Sequence, residues 1–579
     1  MKKIAVIAIF TGFALCLFSQ DNYSADTEMI DDLSKQNIAQ ALWLESFNEA
    51  SVPTDILSKI YSHKNSNEAF ATRLKVRLDD LSESKISYLT DLRNRYGTMK
   101  KYADQRSAQQ FYANLMLVGP QGVRGYKLLD PDMKFEWPQI DHPQWDYQVG
   151  WHFFVGNFTD ENNNHYSVQL MYWQYSLLPP DMAHELGLSD IENQIIELHF
   201  AISDPQTDTH YRANTVIVAG TTGLIDFKAK PYEYALGKNL IRSLDPDGDL
   251  FPVELVAKGW DMGKAGNAEI EMNIFLENPT GYFMEGDEGF APCVDGIGTY
   301  YYSAANLKLI DTLESMIMIK GKKIKLIDGN MWYDHQWGTG FMPSGAPQHA
   351  VMRAVENISE PPPGGWDWFM MHFDQNDAIS GEGEVQIGLS ALHSNDNLSF
   401  YWQTGPDAPG IMTTACKGKY IDANNHVIDI EGTMKVTEWV KNSSSPNPGV
   451  YPPTHTWYPA RYTFKIDSDI PEPLKQFTST PITSNAQTGF FANGLQYAEG
   501  GTVLTDSLGN EIGRGFAEAT NYANTWENVL KLSGMPLNEK TEKFIGAAKP
   551  SKCLKISSIL YVAFHKKELK KIIMESRGL

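Results

Sequence analysis

The chain has 579 residues, with 49 Lys and Arg against 71 Asp and Glu, a formal net charge of −22. That balance argues against nucleic acid or an anionic membrane surface as partner; it suits a small neutral or apolar molecule, and plain solubility also accounts for it. With 42% hydrophobic and 12% aromatic residues the composition fits globular packing, and the length predicts two or more domains.

Residues 1–20 read as a secretory signal peptide: Lys2 and Lys3, then an uncharged apolar run from Ile4 to Phe18, then Ser19 and Gln20. A run of about 15 apolar residues is shorter than the roughly 20 needed to cross a bilayer. The expectation is export to the periplasm or the extracellular space, with no integral membrane span in the mature chain. Leu15 before Cys16 disfavours lipidation. Once Cys16 leaves, Cys293, Cys416 and Cys553 allow at most one bridge, and no CxxC or Cys/His spacing predicts a metal site.

Residues 21–117 read as a helical extension. Phe70, Leu74, Leu78, Leu81, Leu89 and Leu92 recur close to helical spacing, and Asp26 or Thr27 can cap an earlier helix. From about 120 the texture changes to short aromatic and β-branched runs between Gly, Pro, Asn and Asp, the pattern of antiparallel strands. In residues 166–175, Tyr166, Val168, Leu170 and Tyr172 alternate with Met171, Trp173 and Tyr175, so both faces are apolar. Such a strand suits a covered barrel wall enclosing an apolar ligand, or a fully buried sandwich strand. The predicted architecture is mainly β: two antiparallel barrels at 118–355 and 356–535, with a Pro/Gly-rich stretch near 356–365 between them. Residues 536–579 form a basic tail.

The densest chemistry lies in Met331-Trp332-Tyr333-Asp334-His335-Gln336-Trp337-Gly338 and in Gly364-Gly365-Trp366-Asp367-Trp368-Phe369. On a strand, Trp332, Asp334 and Gln336 share one face and Tyr333, His335 and Trp337 the other; Trp366 and Trp368 oppose Asp367. A carboxyl buried among indoles is pushed up in pKa and can donate a proton near neutrality, and indole faces stabilise a nearby cation. Trp, Asp and His also form satisfied structural networks, and either cluster alone is compatible with that. Asp245-Pro246-Asp247-Gly248-Asp249 lacks the Gly and Glu that a calcium loop needs at its sixth and twelfth places, and reads as an acidic turn. Asp141-His142-Pro143 reads as a structural turn. No Gly-x-Ser-x-Gly elbow or phosphate loop occurs.

Several ordered pieces resemble the carotenoid 1,2-hydratase/AttH-like family. They are Trp151-His152-Phe153-Phe154-Val155-Gly156, Glu197-Leu198-His199-Phe200-Ala201-Ile202-Ser203-Asp204, Tyr300-Tyr301-Tyr302-Ser303, the two clusters above, Tyr458-Pro459-Ala460-Arg461-Tyr462, Tyr497-Ala498-Glu499-Gly500 and Gly513-Arg514-Gly515-Phe516-Ala517-Glu518. Gly150, His152, Gln336 and Ala498 depart from the family pattern, standing where it carries Glu, Trp, Glu and Trp. The resemblance implies tandem lipocalin-like barrels in secreted proteins, some of which add water to isoprenoid or prenyl chains. The expected function is thus an exported hydratase or isomerase acting by acid catalysis on a hydrophobic, alkene-bearing small molecule. Asp334 or Asp367 would donate the proton, His335 or Glu518 would orient water, and Trp151, Tyr302, Trp332, Trp337, Trp366 and Trp368 would line the site. No cofactor or metal is called for, because side chains supply both proton and cation stabilisation. The alternatives are a non-catalytic carrier of an apolar ligand and a surface interaction protein.

Overall fold

The computed structural model describes residues 125–176, 179–185, 189–218, 225–261, 268–294, 297–339, 365–374, 384–393, 413–441, 457–490 and 496–520. The signal peptide, the helical extension, the prolines of the 356–365 stretch and the basic tail lie outside the described residues. Within them the chain is mainly β, as the alternating aromatic and branched residues predict. No described helix is long and apolar enough to cross a membrane, which says nothing of strands.

Fourteen strands make the first sheet. They are β1 (Val149–Asp160), β2 (His165–Ser176), β3 (Gln194–Asp204), β4 (Thr209–Val218), β5 (Ile225–Ala229), β6 (Tyr232–Leu236), β7 (Asn239–Ser243), β8 (Val253–Trp260), β9 (Glu269–Glu277), β10 (Phe283–Met284), β11 (Phe290–Val294), β12 (Ile297–Leu309), β13 (Met316–Ile319) and β14 (Lys322–Thr339). The ladder runs β4-β3-β2-β1-β14-β12-β9-β8-β7-β6-β5 and curls so that β4 lies against β8. The β1–β2 hairpin shows why the sequence turns where it does. The Asp160 carboxylate accepts the Asn162 and Asn164 backbone N–H groups at 2.8 and 2.9 Å, while Asn163 takes a φ of 60°.

The second sheet comprises β15 (Gly365–Phe373), β16 (Val385–His393), β17 (Thr413–Ile421), β18 (Val427–Lys441), β19 (Trp457–Ile466), β20 (Gln476–Pro481), β21 (Gln487–Phe490), β22 (Gln496–Thr505) and β23 (Glu511–Thr520). Pairing of β20 with β22 closes eight of these strands into an antiparallel barrel, with β21 outside the ring. Phe369, Met371, Ile387, Leu389, Met434, Phe464 and Phe477 fill its interior.

The two-sided strand of residues 166–175 is explained by its position. Val168, Leu170 and Tyr172 point into the first core, while Gln169 on the other face reaches the second barrel. The sheets meet along a seam where β1 lies on β23, β2 on β22 and β12 on β16. Glycine permits that approach: a Cβ on Gly388 would stand 2.8 Å from the Trp332 ring, and one on Gly501 2.5 Å from Ser167 Cβ. Trp173, Trp332 and Trp337 are fully buried, and burying an apolar side chain of that size contributes roughly 2 kcal/mol or more.

Candidate functional site

β14 sorts its residues between two compartments. Met331, Tyr333 and Trp337 belong to the first core, whereas Trp332 and Asp334 face the second barrel. Asp334 pairs across the ladder with Phe153 of β1 and Ser303 of β12. Its Oδ1 accepts from Ser303 Oγ at 2.5 Å and from Trp332 Nε1 at 2.6 Å; its Oδ2 accepts from Tyr301 Oη at 2.5 Å. Burial pushes the carboxyl up to about 7, even though the three donors pull it down. The buried Glu285 is its neighbour, and Ser303 Oγ stands 3.3 Å from Glu285 Oε1. Burial, and next the Asp334 charge, push Glu285 up to about 8 against the pull of Lys419.

The second barrel supplies the opposite wall. Trp368 Nε1 donates to Tyr301 Oη at 3.1 Å, which joins β15 to the Asp334 carboxylate through one phenol. The Trp368 ring meets Trp332 at 6.0 Å and Phe153 at 5.6 Å, both edge to face. Trp366 Nε1 donates to Glu518 Oε2 at 3.0 Å. Glu518 is pushed up to about 8 by burial first and by the Asp334 charge, against the Trp366 hydrogen bond. Its cross-strand partner Glu499 is raised well above the usual carboxyl range by burial, then by Glu518 and Asp334. Asp334, with three donors around it, is thus built to accommodate an anion, while Glu518, with one, is built to hold a proton. Two carboxyls in such unlike settings can divide acid and anionic roles.

Of the residues anticipated from sequence, Asp334, Glu518, Trp332, Trp366 and Trp368 come together in this seam. Trp151 lies on the same face of β1, stacked on Trp173 at 4.6 Å. The others stand apart. His335, Tyr302 and Trp337 lie on the first-sheet interior side, where the His335 and Trp337 rings are 4.7 Å apart. Burial lowers His335 to about 4, so it is a neutral imidazole, with Nδ1 2.8 Å from Trp151 O. Asp367 lies in the second barrel, where Tyr462 Oη donates to its Oδ1 at 3.1 Å. Trp366 and Trp368 flank it from the other face, as the alternation predicts.

Sequence reasoning passed over Asp141, Glu285 and the pairing of Glu197, His199, Tyr497 and Glu499. Asp141 reads as part of a turn, yet it is buried, accepts from Tyr282 at 3.1 Å and from Tyr302, and is pushed up to about 7 by burial. Glu197 with His199 and Tyr497 with Glu499 carried a legible signal, polar pairs two apart on strands, but their meeting across some 300 residues did not. Among the described residues, no group of three or more His, Cys, Asp or Glu is placed to hold a metal ion.

The site is thus a seam between two apposed β-sheets, with Asp334, Glu499, Trp332 and Trp368 buried and Glu518 and Trp366 half-buried. Residues 128–381 match the AttH-like family. Comparison with curated proteins gave no match. Among solved structures, a putative AttH from Nitrosomonas europaea is similar at 16% identity and a TM-score of 0.48, over 68% of this chain and 99% of that one. Kievitone hydratase from Nectria haematococca is similar at 13% identity and a TM-score of 0.40, over 68% of this chain and 96% of that one.

Proposed function

We propose that the seam is the active site of a hydratase or isomerase that protonates a carbon–carbon double bond in a hydrophobic, isoprenoid-like molecule. The observation that carries this reading is the convergence of Asp334 and Glu518, two acids from different sheets, on one set of indoles. Trp332 Nε1 donates to Asp334, Trp366 Nε1 to Glu518, and Trp368, the cross-strand partner of Glu518, to the phenol that donates to Asp334. Glu518, held protonated near neutrality, donates the proton. The indole faces and the Asp334 carboxylate then oppose the positive charge left on carbon. Capture of water gives hydration, and loss of a neighbouring proton gives isomerisation. The resemblance of the sequence pieces to the carotenoid 1,2-hydratase/AttH-like family, some of whose members add water to isoprenoid or prenyl chains, supports this class of substrate. His335, Trp337 and Asp367 face other compartments and have no part in this scheme.

The test is incubation of the protein with farnesol, squalene and a prenylated phenol in ¹⁸O-water. Label in a hydroxyl of the product is expected, and Glu518→Gln and Asp334→Asn are each expected to abolish it. Turnover by both variants equal to wild type would overturn the assignment. A second reading, a carrier of an apolar ligand, is favoured by the stacked Trp151 and Trp173 on the same face. Mass spectrometry of material co-purified with the native protein separates the two, since an unmodified lipid supports carriage and a hydrated one catalysis. We also propose export, on the strength of residues 1–20; the amino-terminal sequence of protein recovered outside the cytoplasm tests it.

A further inference from the structure

A second set of polar groups crosses the seam beside the acids. Glu197 and His199, two apart on β3, point away from the first core and are wholly buried. His199 Nε2 stands 2.7 Å from Glu197 Oε1, and its Nδ1 is hydrogen-bonded to Tyr497 Oη on β22. The His199 and Tyr497 rings are stacked at 5.4 Å and 12°. Gln169 Nε2 donates to Tyr497 Oη at 3.2 Å and also to Glu499 Oε2. Glu499 is the cross-strand partner of Glu518. A run of carboxylate, imidazole and phenol therefore ends next to the carboxyls of the proposed site.

Docking two sheets does not require such a run. Elsewhere the same seam is joined by uncharged contacts: Asn157 Nδ2 donates to Gly515 O at 2.9 Å, and Gly501 N donates to Ser167 Oγ at 3.0 Å. A buried carboxylate–imidazole pair is a poor source of stability compared with apolar packing. A carboxylate that holds a hydrogen on one ring nitrogen does, however, leave the other free to accept a proton from a hydroxyl.

We propose that Tyr497, His199 and Glu197 form the base arm of the seam, taking the proton released when water adds; the inference rests on the acid-catalysed reading above. The π electrons of the alkene form a C–H bond with the Glu518 proton, leaving Glu518 ionised and the adjacent carbon positive. A lone pair of water then forms the C–O bond. One proton of that water passes to Tyr497 Oη while the phenol's own proton passes to His199 Nδ1. The imidazolium is left against the Glu197 carboxylate, and its proton returns to Glu518 through solvent between turnovers. Tyr497 remains neutral at each end of the step. That is consistent with burial, and next the Glu499 charge, holding its hydroxyl well above the usual phenol range.

Two measurements test this on the full chain. ¹⁵N NMR of histidine-labelled protein at pH 7, with His199→Gln assigning the signal, reads the ring without substrate. Hydrogen on Nε2 alone is expected, and a ring protonated at Nδ1 would overturn the relay. In the ¹⁸O-water assay, Tyr497→Phe and the isosteric Glu197→Gln should each lower hydrated product at least tenfold while isomerised alkene persists, so that the product ratio moves. A simple packing role would lower both products together. If wild type hydrates and the ratio is unchanged in both variants, the relay fails alone. If wild type hydrates nothing, the acid-catalysed reading fails and takes the relay with it.

Discussion

Replacing Asp334 by Asn should weaken the loss of stability that this protein suffers as pH rises. In the fold the carboxyl is raised from 3.8 to about 7, chiefly by burial. An acid raised on folding contributes stability that is fully present below its unfolded value and is lost as pH climbs through its folded value. Between those limits, ionising Asp334 costs the fold about 1 kcal/mol at pH 4.5 and about 4 kcal/mol at pH 8. Asn cannot ionise. It keeps an oxygen for Ser303 and Trp332 but turns an N–H toward Tyr301, a loss of about 1 kcal/mol at every pH. The difference in unfolding free energy, variant minus wild type, should therefore rise by about 3 kcal/mol from pH 4.5 to pH 8. That figure is a floor, because the Asp334 charge also helps raise Glu285, Glu499 and Glu518. Urea unfolding of both proteins at the two pH values measures it. Parallel pH profiles would show that Asp334 is not a carboxyl raised by burial, and the acid–base reasoning would go with it.

Turnover should fall as pH rises through about 8, where Glu518 loses its proton, and Glu518→Gln should lower kcat by about 100-fold or more across the range; an alkaline limb that survives in the Gln variant would assign it elsewhere. Trp368→Phe removes the N–H that Tyr301 accepts at 3.1 Å; a loss of about 1 kcal/mol in stability is expected, with a proportionally larger loss in kcat, measured by melting and steady-state kinetics. Gly388→Ala places a Cβ 2.8 Å from the Trp332 ring; destabilisation of about 1–3 kcal/mol is expected from overpacking, with weakened binding of an apolar fluorescent probe, whereas an unchanged melting point would mean that the sheets are not held that close.

Much of this was legible in advance because strands alternate. The sorting of Trp332 and Asp334 away from Tyr333, and of Trp366 and Trp368 away from Asp367, follows from a period of two alone. Periodicity cannot say which compartment each face meets. The two clusters of Trp and Asp, close in sequence and alike in composition, suggest one site, yet His335 and Trp337 sit with the first core and Asp367 with the second. Glu285 left no mark in the sequence and Asp141 reads only as part of a turn, because each becomes buried through contacts with strands far along the chain. Glu197 and Tyr497 lie 300 residues apart, and only the docking of β3 against β22 makes them part of one network.

The long strand β14 carries a consequence for how this protein can change over time. Its even-numbered residues near Asp334 furnish the seam, and its odd-numbered neighbours furnish the first core. Insertion or deletion of a single residue there would swap the two inventories, sending indole and acid into the core and phenol into the seam. Lineages can therefore retune the chemistry of the seam by point replacement, one alternate position at a time, with little disturbance to the core beneath. Length changes in this strand are closed to them, and new reactivity must arrive by exchange of side chains alone.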